Sequence, residues 1–100
     1  MNDEQHQWVA AHPKCGEIFK AIHALGAELR YQRQAALARL SEKRLSVHTL
    51  NAAAMHLGLG RPSKDLAPEM DAVVAAEVER VRGWYADQVA DVLRRFGWSE

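Results

Sequence analysis

The chain has 100 residues, 48% of them apolar and 26% charged, and its thirteen basic residues balance thirteen acidic ones. That length fits a single domain, 1–100, able to bury about 65% of its unfolded surface in one modest core. A neutral sum argues against a surface that attracts nucleic acid everywhere, no apolar run reaches the ~20 residues of a bilayer span, and the lone Cys15 excludes an internal disulfide framework.

The first residues, Met1-Asn2-Asp3-Glu4-Gln5, are acidic and polar, unlike a secretory signal, so a cytoplasmic location is expected. Asn2 or Asp3 can cap a short first helix that carries Trp8 and Val9. That helix should end before Pro13, because proline disfavours helical geometry in the residue preceding it. A long second helix is predicted from about Gly16 to Lys43. Ile18, Ile22, Leu25, Leu29, Ala36 and Leu40 form its apolar stripe, widened by Phe19 and Leu37. Ser46 suits the N-cap of a short third helix ending at Gly58, where glycine can take the left-handed conformation. Gly58 to Pro62 reads as the main loop, and Ser63, Asp65 and Pro68 mark the start of the last helix.

That last helix is the strongest signal in the chain. From Leu66 to Phe96, Met70, Val74, Val81, Tyr85, Val89, Val92 and Phe96 recur at steps of three, four and seven, the spacing of one helical face. Strict polar–apolar alternation is scarce, so no strand is predicted. The expected fold class is all-α, a small bundle of two long amphipathic helices with two short ones. Two charges interrupt the stripes, Arg33 on the second helix and Glu77 on the last. If the long helices run antiparallel with Leu40 near Met70, Arg33 comes to lie near Glu77.

Charge is unevenly distributed. Lys14 to Lys64 holds nine basic and three acidic residues, and Asp65 to Glu100 holds eight acidic residues and four arginines. Packing one half on the other neutralises part of this, and the remainder offers faces of opposite sign.

Metal and catalytic motifs are lacking. His6, His12 and Cys15, and separately His48 and His56, lack the spacing of three or four converging zinc ligands. A Cys15 nucleophile would need a partner base and an oxyanion site, and neither is indicated. Asp87 and Asp91 share a helical face, but acid–base work needs an environment that perturbs one of them. Local ion pairing with Arg94 and Arg95 is the plain account. No enzyme, metal or cofactor is therefore expected. The alternative for this face is recognition. Glu77, Trp84, Gln88 and Asp91 form a row at steps of seven, four and three, with Asp87 beside it. Tryptophan is enriched where binding energy concentrates, and a carboxylate row can occupy arginines and lysines that otherwise hold phosphates.

Thr49 to Ser63 resembles part of a helix-turn-helix. Ala54 and Gly58 match the small residue and turn glycine of that motif, and Leu59, Arg61 and Ser63 occupy usual positions in the following turn. The resemblance implies a DNA-binding transcriptional regulator contacting DNA through Arg61, Ser63 and Lys64. The chain departs from the pattern at Lys64, which replaces an apolar core residue, and at Pro62, which interrupts the second helix. Asp65, Glu69 and Asp71 add negative charge where phosphates would lie.

Small, neutral helical chains with acidic faces also resemble, in size and style, phage or mobile-element products that block host machinery; anti-CRISPR proteins are one such group. That resemblance implies a non-enzymatic inhibitor working by protein–protein interaction. Its partner would be a protein or nucleoprotein complex with a basic surface, met through Glu77, Trp84, Asp87, Gln88 and Asp91. Direct DNA binding is the second expectation, no membrane partner is expected, and a homodimer is left open.

Overall fold

A capping box starts the chain. In the computed structural model, which describes residues 1–59 and 71–99, the Asn2 side chain accepts from Gln5 N–H at 2.8 Å and the Gln5 side chain accepts from Asn2 N–H at 3.1 Å. Two otherwise orphaned donors are satisfied reciprocally, and α1 runs Asp3–Ala11. His12 then adopts an extended backbone (ψ 140°) ahead of Pro13 and stops the helix.

The predicted long second helix is broken. It is two helices, α2 (Cys15–His23) and α3 (Gly26–Ser41). Ala24 and Leu25 stay right-handed, with ψ of −19° and −13°. Leu25 N–H bonds back only three residues, to Ile22 O, at 3.0 Å. This is a tightened 3₁₀-like step, placed just before Gly26, the weak helix former that sequence periodicity passed over. Phe19, expected to widen the stripe, is instead 42% exposed.

Ser46 caps α4 (Val47–His56) by accepting from Thr49 N–H. Gly58 closes it with φ +77°. Leu59 N–H reaches Ala54 O and Gly58 N–H reaches Met55 O, the paired bonds of a Schellman motif. The last helix, α5, runs Ala72–Arg95; Asp71, expected within the helix, is non-helical (ψ 142°) and caps it by accepting from Val73 N–H at 2.8 Å. Met70 and the expected start signals Ser63, Asp65 and Pro68 lie outside the described residues. A second Schellman motif ends α5: Gly97 has φ +104°, and Trp98 N–H bonds to Leu93 O.

The architecture is all-α. At 24 residues, α5 is a rod of about 36 Å that serves as the spine. The α2–α3 arm runs antiparallel to it, so that α3 meets the first half of α5 and α2 the second. Two core clusters result. Ala36, Leu40, Ala53, Leu57, Val74, Val78 and Val81 join α3, α4 and α5. Val9, Ile18, Val89 and Leu93 join α1, α2 and α5, with Trp8, Ile22, Tyr85, Phe96 and Trp98 around them. The predicted stripe of α5 faces these cores: Val74, Val81, Val89 and Val92 are buried, and Tyr85 and Phe96 half-buried. Serving two clusters in line makes the molecule long, 49 × 25 × 21 Å. Its radius of gyration of 16.1 Å exceeds the ~13 Å of a round chain of this length. Among the described residues no helix is long and apolar enough to cross a membrane.

His12 ties the ends together. Its Nδ1 accepts from Lys14 N–H and its Nε2 lies 3.0 Å from Phe96 O, so the neutral ring carries its proton on Nε2 and donates to that carbonyl. Trp8 packs on the same ring and, edge-on, on Trp98.

Candidate interaction surface

The flank of α5 from Trp84 to Asp91 lies on the longest described helix, capped at both ends and buried along its core-facing side. The helix presents Trp84, Asp87, Gln88 and Asp91 as a contiguous patch, because steps of three and four return to the same face. Trp84 is half-buried and belongs to neither core cluster. Gln88 beside it is half-buried, and Asp87 and Asp91 are exposed. Asp91 accepts from Arg94 Nη1 at 2.6 Å, one of the local ion pairs expected from the spacing. Asp87 has no hydrogen bond or ion pair among the described residues. The patch therefore offers one uncommitted carboxylate, one partly satisfied carboxylate, an amide and an indole.

Glu77 does not belong to that surface. It was expected to contact a partner, yet it is 7% exposed, at the edge of the α3–α5 core. It was also expected to lie near Arg33, and its partner is Arg39. Arg39 Nε donates to both carboxylate oxygens, at 3.2 and 3.1 Å, and Nη2 donates to Oε2 at 2.8 Å. The register between α3 and α5 differs by six residues from the one that would pair Arg33 with Glu77, and it brings Arg39 to the carboxylate instead. The hydrogen bonds from Arg39 hold the Glu77 carboxyl below its ordinary value. Burial opposes them, and the positive charges of Arg39, Arg80 and Lys43 assist. Glu77 in turn raises the Arg39 guanidinium, mainly through the same hydrogen bonds.

Arg33 lies elsewhere. Its guanidinium rests against the turn at Gly58, with Cζ and Nη1 3.3 Å from the place a Cβ on that glycine would occupy. It lines a cleft between α3, α4 and α5 together with Met55, His56 and Arg82. Periodicity located Arg33 on the core-facing stripe but said nothing of α4, whose closing turn provides the surface it rests on.

Among the described residues no three His, Cys, Asp or Glu side chains gather as a metal site. Both ring nitrogens of His12 are engaged, and Cys15 packs half-buried against the second core cluster. Arg61, Ser63 and Lys64, the residues of the helix-turn-helix expectation, lie outside the described residues. No protein-family model, curated protein or solved structure gives a significant match to this chain.

Proposed function

We propose that this chain is a non-enzymatic binding protein that docks the Trp84–Asp91 flank of α5 on a basic surface of a protein or nucleoprotein complex. The observation that carries the proposal is Asp87, an exposed carboxylate with no ion pair among the described residues, beside a tryptophan that neither core cluster uses. An indole that is half-buried in the free protein gains contact area when a partner covers it, and an unpaired carboxylate on a helix loses little entropy in meeting an arginine or lysine. Glu77 is left out of this face because Arg39 already satisfies it. By covering cations that otherwise hold phosphates, the protein would act as a blocker, the mode of the mobile-element inhibitors, anti-CRISPR proteins among them, that it resembles in size and style.

The test pairs pull-down with gel shift, each at two salt concentrations. Immobilised protein should retain a basic protein or nucleoprotein partner and leave duplex DNA unshifted. An Asp87→Lys/Asp91→Lys variant of unchanged helicity should lose the partner, and an Arg61→Glu/Lys64→Glu variant should keep it. The reverse pattern, with a duplex shift that falls steeply as salt rises, would establish the DNA-regulator reading instead.

A further inference from the structure

We propose that the cleft between α3, α4 and the first half of α5 binds a small amphipathic carboxylate, its head on Arg33 and its apolar body on the valines of α5. The cleft measures about 380 Å³, within the range of small-molecule sites. Leu29, Met55, Val78 and Val81 give it an apolar wall. Its polar side chains are Arg33, Arg82, His56 and the Tyr85 hydroxyl, all able to donate to an anion, and no carboxylate is among its described lining residues.

Arg33 is the anomaly that points to an anion. Only two described arginines are half-buried, Arg33 and Arg39, and Arg39 meets the Glu77 carboxylate; the described arginines that lack an ion pair elsewhere are exposed to water. Arg33 is half-buried and has no hydrogen bond or ion pair among the described residues. A half-buried guanidinium without a protein acceptor keeps its donors available to an anion. Its position is nevertheless set by the flat surface of the Gly58 turn, where any side chain would crowd it. His56 on the same wall repeats the pattern, with Nε2 buried and without a hydrogen-bond partner. Arg82 at the rim meets Glu79 at 3.3 Å, its one ion pair among the described residues and an exposed one on both sides, so it is available as a second contact. The planar fork of one positioned guanidinium matches a carboxylate with two parallel hydrogen bonds, and the valine wall receives an alkyl or aryl body. This site is distinct from the docking face in its residues: Arg33, His56 and Arg82 line the cleft, and Trp84, Asp87, Gln88 and Asp91 are not among its described lining residues.

The experiment titrates the whole protein with decanoate, with decanol, and with a water-soluble peptide rich in glutamate, followed by calorimetry and by backbone amide shifts. Decanoate should bind one to one and saturably, decanol at least about tenfold more weakly, since a charge-assisted pair is lost, and the peptide not at all. Arg33→Gln should cost decanoate about tenfold or more and leave decanol unchanged, whereas Arg30→Gln, an exposed cation outside the cleft, should change neither. Amide shifts in the unaltered protein should cluster at 55–58 and 78–85, a readout that holds even if the Arg33 variant folds poorly. Equal binding of decanoate and decanol, shifts centred elsewhere, absence of decanoate binding, or preference for the peptide would each overturn the proposal.

Discussion

Replacing Arg39 with alanine isolates the most informative interaction in the fold. Glu77 accepts three hydrogen bonds from that guanidinium and is 7% exposed, so the substitution strands a carboxylate at the edge of the core. Breaking a fully buried pair costs about 3–5 kcal/mol, and an exposed pair is worth about 0–1 kcal/mol. Here the Glu77 side chain is 9% exposed and that of Arg39 is 39% exposed. Water reaching the guanidinium screens the pair, and an intermediate cost of about 2 kcal/mol follows. For a domain of this size that corresponds to a fall in Tm of about 10 °C. The pH dependence supplies a sign. Glu77 in the native protein lies below its ordinary value of 4.5, so the stability it contributes is fully present above that value. It is lost as pH falls through the lower native value. In Arg39→Ala the hydrogen bonds, the largest influence, are gone, and burial pushes the carboxyl up against only the weaker pull of Arg80 and Lys43; acidification then relieves the stranded charge. The difference in stability between the two proteins should therefore be largest near neutrality and shrink towards pH 3. The assay is urea denaturation followed by circular dichroism across that range. An Arg39→Met/Glu77→Leu protein should be close to native stability, because neither member is left unpaired. A destabilisation by Arg39→Ala that is absent, or constant with pH, would refute this account of the pair.

Other consequences are as direct. Leu40→Ala and Leu93→Ala each empty a fully buried position in a different cluster and should cost about 2–5 kcal/mol by chemical denaturation; because the clusters are separate, the double variant should be additive. Gly58→Ala forces a side chain into φ +77° and towards the Arg33 guanidinium, with an expected loss of about 1–2 kcal/mol in the same assay. His12→Ala removes the bond to Phe96 O and the acceptor for Lys14 N–H, and should cost about 1–3 kcal/mol. It should also loosen the Trp8–Trp98 contact, seen as a loss of near-ultraviolet dichroism.

Much of the architecture was legible in the residues themselves. Asn2, Ser46 and Gly58 act where local chemistry says they should, because capping and left-handed closure depend on neighbours a few positions away. The stripe of α5 was equally plain, since a spine that serves two cores must keep one face apolar along its whole length. Of the candidate docking face, the neighbourhood of Trp84, Asp87, Gln88 and Asp91 follows from helical spacing alone. Its relation to the core does not. Tertiary structure decided that Glu77 turns inward while Asp87 stays out, because only the packing of α3 brings Arg39 within reach of one carboxylate and not the other. It decided how the arm divides at Ala24–Leu25, with α2 packing in one core cluster and α3 in the other, whereas Gly26 beside the break is a signal that periodicity passes over. It also set Arg33 against the closing turn of α4. Periodicity reports which face of a helix is buried; which residue it meets there depends on register, and register is set by contacts between segments far apart in the chain.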